Sequence, residues 1–120
     1  MKKILVVDDE LVLRMLIVDS LEDLGYPITE AENGHQALKL INENHYDIII
    51  LDYMMPGMTG IELLDQLDPT RMKKTSIVML TAKTQEKDQD QAKGAGVDVF
   101  MKKPFSPLAL YDLIEELLHG

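Results

Sequence analysis

Five short apolar runs, separated by longer stretches with helical spacing, constrain the fold of this chain more than any other feature. The runs span residues 4–7, 28–31, 48–51, 77–80 and 97–101 and are rich in β-branched side chains. The first, third and fourth runs are apolar throughout, which is typical of strands covered on both faces, whereas the second alternates and indicates an edge strand. Alternating strands and helices of this kind predict an α/β fold with a parallel sheet.

Helical segments fill the intervals between the runs. Leu13, Ile17 and Leu21 form an apolar stripe on the first segment, and the last helix begins after Ser106, a typical N-cap residue. Residues 84–93 hold a single apolar side chain. A helix there is weakly anchored, and we expect it to be mobile until phosphorylation or a partner orders it. Right-handed crossovers then give a doubly wound (βα)5 sheet, and we expect residues 1–120 to form one domain.

The composition excludes several classes of protein. The 120 residues include 12 Lys and Arg against 21 Asp and Glu, a net charge of −9, and no Cys. Without Cys there is no disulfide scaffold, Cys-ligated zinc or catalytic thiol, and a cytoplasmic location is the expectation. The negative charge opposes direct binding to nucleic acid. No apolar run approaches the roughly 20 residues that span a bilayer, so we expect no membrane association.

Charged and polar residues follow the predicted strands at their carboxyl ends. Asp8 and Asp9 follow the first strand, Asp52 the third and Thr81 the fourth, while Lys103 follows the fifth. Ligands of doubly wound sheets bind at this edge. If the first and third strands are neighbours, as in the order 2-1-3-4-5, three carboxylates and a lysine converge there. Each residue alone is also compatible with a structural role such as a helix cap, but their coincidence indicates a site.

Three carboxylates brought together need a positive partner. Oxygen-only ligation favours Mg²⁺ or Mn²⁺ over Zn²⁺ or Cu²⁺, and Mg²⁺ commonly also takes a phosphate oxygen. A phosphate-bearing partner is therefore expected, with Lys103 and the Thr81 hydroxyl able to bind further phosphate oxygens.

Four motifs give the chain a specific resemblance to a known family. They are residues 6–10 (VVDDE), 51–60 (LDYMMPGMTG), 80–82 (LTA) and 103–105 (KPF). With them, essentially the whole chain resembles the receiver domain of two-component response regulators, the family of the chemotaxis response regulator. The resemblance implies a flavodoxin-like fold with a parallel sheet of order 2-1-3-4-5.

The resemblance also implies the roles of individual residues. Asp52 would be the phosphoacceptor, taking the phosphoryl group from a sensor histidine kinase or a histidine phosphotransfer protein. Asp8, Asp9, Asp52 and the backbone carbonyl of Met54 would hold Mg²⁺ (or Mn²⁺). Thr81 and Lys103 would bind phosphoryl oxygens. Such a domain is a self-phosphorylating and self-dephosphorylating acceptor rather than a turnover enzyme.

A conformational switch is part of what the resemblance implies. Thr81 would be drawn towards the phosphoryl group and Phe100 would turn inward, which reshapes the face formed by the helix between the fourth and fifth strands, the fifth strand and the last helix. That face would act on a downstream effector protein or an attached output domain, or form a phosphorylation-dependent homodimer. The Lys103–Pro104 peptide bond would be cis.

Three other functions share parts of this pattern. A phosphorylation-independent receiver-like module would serve only dimerisation or interaction. A flavodoxin-like nucleotide or flavin binder would have the same fold, but Asp8 and Asp9 would repel a phosphate and no phosphate loop follows them. An aspartyl-phosphate phosphatase would also use Asp52 and Mg²⁺, but Met54 stands where its second Asp belongs.

Overall fold

A computed structural model describes residues 2–82 and 96–119. These residues form a parallel five-stranded sheet in the order β2-β1-β3-β4-β5. The strands are β1 (Ile4–Val7), β2 (Ile28–Ala31), β3 (Ile48–Asp52), β4 (Ser76–Thr81) and β5 (Val99–Lys102). The predicted fold class is confirmed, with the alternating second run at one edge of the sheet.

Four helices in the described residues connect or follow these strands. They are α1 (Leu11–Leu21), α2 (Gly34–Glu43), α3 (Gly60–Asp65) and the C-terminal helix (Pro107–His119). A short 3₁₀ turn at Glu22–Leu24 extends α1, and Gly25 ends it with a left-handed φ of 79°. Residues 84–93, where we expected a weakly anchored helix that becomes ordered on phosphorylation, lie outside the described residues.

Strand ends differ from the predicted runs by one or two residues. β3 and β4 each extend one residue further, so that Asp52 and Thr81 are the last residues of their strands. β5 begins at Val99 rather than at residue 97 because the Asp98 carboxylate accepts a hydrogen bond from the Ile77 N–H at 2.7 Å. A side chain therefore takes a position that a strand carbonyl would otherwise occupy.

Alternate residues of the central strands enter two separate cores. One face of the sheet packs against α1 and the C-terminal helix, through Ile4, Val6, Ile48, Ile50, Val78 and Leu80. The other packs against α2 and α3, through Leu5, Val7, Ile49, Leu51, Ile77 and Met79. Each fully buried Ile or Leu contributes about 1.5–3 kcal/mol of transfer free energy, which explains why these runs are apolar on both faces.

None of the helices in residues 2–82 and 96–119 is both long and apolar enough to cross a membrane.

Candidate functional site

The carboxyl edge of the sheet holds a cluster of acidic side chains. Asp8 follows β1 and is fully buried, and Asp52 ends β3 with 5% of its surface exposed. Asp9 is exposed beside them. One carboxylate oxygen from each residue lies within 4.8 Å of those from the other two. The neighbour relation of β1 and β3, which the order of the sheet requires, therefore brings the three predicted carboxylates together.

The Asp8 carboxylate carries an electrostatic penalty. Its Oδ1 accepts a hydrogen bond from the Glu10 N–H at 2.9 Å, but Oδ2 has only the Lys103 ammonium at 3.9 Å. Burial raises the pKa of Asp8 from 3.8 to about 6, and the negative charge of Asp52 acts in the same direction, whereas the Glu10 N–H opposes it. This carboxylate is therefore held ionised near neutral pH at a cost in folding free energy.

Asp52 has a cationic partner. Lys103 Nζ donates a hydrogen bond to Asp52 Oδ1 at 2.9 Å. Burial raises the pKa of Asp52, while the Lys103 ammonium and the backbone N–H of Met54 lower it. Lys103 itself is held in place where its backbone N–H donates to the Thr81 carbonyl at 2.8 Å, and its peptide bond to Pro104 is cis.

Two buried oxygen atoms at this edge lack hydrogen-bond partners within the part of the chain that the structure describes. They are Asp8 Oδ2 and Thr81 Oγ1, and Thr81 is 1% exposed. Leaving a buried polar atom unpaired costs about 1–3 kcal/mol. A hard divalent cation would satisfy the carboxylate oxygen, and an anionic oxygen would accept from the hydroxyl. The donor set therefore fits Mg²⁺ or Mn²⁺ together with a phosphate-like group.

The loop after β3 brings the start of α3 against the main chain of Asp52. The Gly60 N–H donates to the Tyr53 carbonyl at 2.8 Å, and Thr59 and Glu62 form a capping box at the start of α3. A Cβ at Gly60 would lie 2.8 Å from the Asp52 carbonyl oxygen, so only glycine fits there. The last residue of β3 is thus packed against the first of α3.

Two further predicted residues lie at different places in the fold. Met54 follows Asp52 by two residues, and 53% of its surface is exposed at the mouth of the site. Phe100 is half-buried in β5, in register with Met79, and packs against the core beneath α2 and α3. Phe100 is therefore outside the polar cluster, on the face of the sheet that carries α2 and α3.

Sequence reasoning missed Arg14. Its side chain is only 11% exposed, and its Nη1 donates to the Asp8 carbonyl at 2.7 Å while its Nε pairs with Glu30 Oε1 at 3.0 Å. The signal available in the sequence was a single charged residue within the apolar segment 11–18. Because that segment is apolar on every face, the periodicity did not indicate where the arginine points.

The exposed apolar residues also escaped prediction. The stripe of Leu13, Ile17 and Leu21 does face the core, but α1 is apolar on its outer side as well. Four large exposed side chains of α1 form what we term the α1 patch: Leu11, Val12, Met15 and Leu16. The patch adjoins the acidic cluster because α1 begins directly after Asp8, Asp9 and Glu10.

Comparisons with known proteins match this architecture. Residues 4–115 match the family model described as response regulator receiver domain. The transcriptional regulatory protein ResD of Bacillus subtilis is 47% identical over 116 residues, which cover 97% of this chain and 48% of ResD. The phosphate regulon transcriptional regulatory protein PhoB of Pseudomonas aeruginosa is 42% identical over 118 residues, covering 98% of this chain and 52% of PhoB. The chain spans about half the length of these curated relatives.

Solved structures agree with the sequence comparisons. The chemotaxis response regulator CheY4 of Vibrio cholerae superposes with a TM-score of 0.89 at 33% identity, and the match covers 98% of both chains. The receiver domain of the Francisella response regulator 1452 gives a TM-score of 0.87 at 34% identity, covering 99% of this chain and 98% of that one.

Proposed function

The chain belongs to the response regulator receiver domain family, and on that basis we propose that Asp52 accepts a phosphoryl group from a phosphohistidine of a partner protein. One observation carries the proposal. Asp52 is a buried carboxylate with an ammonium group 2.9 Å away and two further carboxylates close enough to share a cation. Phosphoryl transfer needs this combination, because its catalysis consists mainly of positioning and charge neutralisation.

The transfer itself is a substitution at phosphorus. An Asp52 carboxylate oxygen attacks the phosphorus, an O–P bond forms, and the P–N bond breaks with its electron pair remaining on the histidine nitrogen. Lys103 neutralises charge on a phosphoryl oxygen, and the Thr81 hydroxyl donates a hydrogen bond to another. Thr81 then gains the acceptor that its buried hydroxyl otherwise lacks among the described residues.

The carboxylates of Asp8, Asp9 and Asp52, with the backbone carbonyl of Met54, would hold Mg²⁺ or Mn²⁺. When bound, the ion neutralises charge on the phosphoryl oxygens during transfer. The unpartnered Asp8 Oδ2 and the mutual proximity of the three carboxylates support this assignment. Asp8 must be ionised to bind the ion, so affinity rises with pH through the raised pKa of about 6 and levels off above it.

We propose that the phosphodonor is a sensor histidine kinase or a histidine phosphotransfer protein and that it covers the α1 patch. A donor must bring its histidine to Asp52, and α1 begins at Leu11, directly after Asp8 and Asp9 of the same carboxylate cluster. Exposed apolar residues such as Val12, which is 79% exposed, stabilise a complex when a partner excludes water from them. The continuity of the patch with the site supports this occupant.

Output is proposed to pass through a second face of the domain. Thr81 and Phe100 would act as the switch for a face that includes β5 and the C-terminal helix; the helix expected between β4 and β5 lies outside the described residues. Since ResD and PhoB are transcriptional regulatory proteins about twice as long as this chain, an attached output domain is the natural target, with an effector protein or a phosphorylation-dependent homodimer as other forms of output. The domain itself would not bind nucleic acid, given its charge of −9.

Residues 1–120 are proposed to form one receiver domain that is phosphorylated and dephosphorylated without turning over a substrate. The absence of Cys supports a cytoplasmic location. The family match does not favour a phosphorylation-independent interaction module, a flavin or nucleotide binder, or an aspartyl-phosphate phosphatase.

Incubation with acetyl phosphate and Mg²⁺ tests the proposal. Intact-mass spectrometry should show one added phosphoryl group in the wild type, none in Asp52→Asn, and one in Asp65→Asn, a matched change at an exposed aspartate of α3. Beryllofluoride should shift the amide resonances of the wild type and of Asp65→Asn. An unmodified wild type, or labelling that persists in Asp52→Asn, would contradict the assignment.

A further inference from the structure

We propose that Arg14 is a positioning residue for the divalent-cation site, which it serves by fixing the main chain at the carboxyl end of β1. The inference rests on the proposed function, since it concerns the cation that Asp8 and Asp9 would hold. The Arg14 side chain donates its hydrogen bonds to neither of these two carboxylates. Its contacts are with the Asp8 carbonyl and with Glu30.

The Asp8 carbonyl stands where the parallel ladder between β1 and β2 stops. The Asp8 N–H still donates to the Ala31 carbonyl at 3.1 Å, which continues the ladder by one bond. In a longer ladder the Asp8 carbonyl would accept from a main-chain N–H of β2, but β2 ends at Ala31. Arg14 Nη1 donates to that carbonyl instead, at 2.7 Å. A side chain therefore completes the hydrogen bonding at the end of the strand.

The second contact fixes the direction of the guanidinium. Arg14 Nε pairs with Glu30 of β2 at 3.0 Å, and the two donors belong to one rigid planar fork. One side chain of α1 thereby ties the ends of β1 and β2 together.

Two hydrogen bonds of the Glu10 main chain also hold the turn from Asp8 to Glu10. The Arg14 N–H donates to the Glu10 carbonyl at 2.9 Å, and the Glu10 N–H donates to Asp8 Oδ1 at 2.9 Å. Losing the bond from the Arg14 side chain to the Asp8 carbonyl frees this turn and, with it, the Asp8 and Asp9 carboxylates. Losing a partner that orients metal ligands typically lowers metal affinity by about 10–100-fold.

A positioning role and a purely electrostatic role for Arg14 predict opposite effects of its removal on Mg²⁺ affinity. If Arg14 acted only through its positive charge, then Arg14→Met would reduce repulsion and Mg²⁺ would bind more tightly. If Arg14 positions the turn, then Arg14→Met disorders the ligands and Mg²⁺ binds more weakly. The sign of the change therefore distinguishes the two roles.

The experiment is a Mg²⁺ titration of the intact chain, followed by amide chemical shifts. We expect the Kd to rise about tenfold or more in Arg14→Met and to rise less in Arg14→Lys, which keeps one donor. Glu30→Gln keeps an acceptor for Arg14 Nε, so its Kd for Mg²⁺ should also rise less than that of Arg14→Met. Arg71→Met, at an exposed arginine before β4, is the matched control and should bind Mg²⁺ like the wild type.

A metal-free readout tests the same role. Amide hydrogen exchange at Glu10 should be faster in Arg14→Met, while exchange at Ile50 in the centre of β3 stays unchanged. Equal acceleration at both amides would mean general destabilisation and would overturn the positioning role, as would unchanged or tighter Mg²⁺ binding in Arg14→Met. If Arg14→Met does not fold, Arg14→Lys and Glu30→Gln decide by the same criteria. A wild type that does not bind Mg²⁺ would overturn the proposed cation site as well as this inference.

Discussion

Replacing Asp8 with Asn should stabilise the metal-free domain, although Asp8 is a proposed ligand of the cation. The substitution removes the buried charge but keeps the size of the side chain and an oxygen that can accept from the Glu10 N–H. It also removes the weak attraction to Lys103, whose ammonium lies 3.9 Å away. The stabilisation arises because a buried carboxylate is costly to ionise.

The magnitude follows from the pKa shift of Asp8. Burial raises the pKa from 3.8 to about 6, so the folded state binds this proton more tightly than the unfolded chain does. The contribution of Asp8 to the free energy of unfolding therefore falls as pH rises between these two values and is flat above them. The full penalty is about 3 kcal/mol at 1.36 kcal/mol per pKa unit. About 1.4 kcal/mol of this penalty disappears when the pH is lowered from 8 to 5.

Urea denaturation followed by far-UV circular dichroism, in EDTA, measures this effect. Asp8→Asn should be more stable than the wild type by up to about 3 kcal/mol at pH 8, and by about 1.4 kcal/mol less at pH 5. Asp19→Asn, at an exposed position of α1, is the control for removing one negative charge. Mg²⁺ at 100 times its Kd should then stabilise the wild type by about 2.7 kcal/mol and leave Asp8→Asn unaffected.

Two results would refute this reasoning. If Asp8→Asn and the wild type unfold with the same free energy at pH 8, burial of the carboxylate carries no penalty. If the advantage of Asp8→Asn is equal at pH 5 and pH 8, the gain does not come from ionisation.

Two other substitutions test the surfaces around the site. The double variant Val12→Ser, Met15→Ser should slow phosphoryl transfer from a histidine kinase by about tenfold, corresponding to about 1.4 kcal/mol of lost contact. Its labelling by acetyl phosphate should match the wild type, and an equal loss with both donors would contradict docking on the α1 patch. Gly60→Ala should lower the free energy of unfolding by about 1–3 kcal/mol, because its Cβ meets the Asp52 carbonyl. Gly57→Ala, with a φ of 82° and open space around it, should cost only about 1–2 kcal/mol of backbone strain and should leave acetyl phosphate labelling unchanged, whereas Gly60→Ala should reduce it.

The edge position of β2 was predictable because burial differs between the centre and the edge of the sheet, whereas the full order 2-1-3-4-5 followed from the resemblance to receiver domains. Residues 48–51 are apolar throughout, and both cores contain residues of this run. The alternation of residues 28–31 matches the edge position of β2. The carboxyl edge could then be predicted to collect Asp8, Asp9 and Asp52, because the ends of neighbouring parallel strands lie side by side.

Contacts made by long side chains could not be predicted in the same way. Arg14 is six residues from Asp8, and its partner Glu30 lies in another strand. Their meeting depends on the rotamer of a flexible arginine and on where β2 stops, and neither leaves a periodic pattern. The α1 patch has a related cause, since a helix that is apolar on all sides does not indicate which side the sheet will cover.

The ion pair between Lys103 and Asp52 bears on the stoichiometry of cation binding. Three carboxylates share this edge of the sheet with one ammonium group, so with Asp8 ionised two negative charges are unbalanced. One divalent ion matches them and a second would leave an excess of positive charge. Lys103 would thus serve as a covalently attached counterion that limits the proposed site to a single divalent ion.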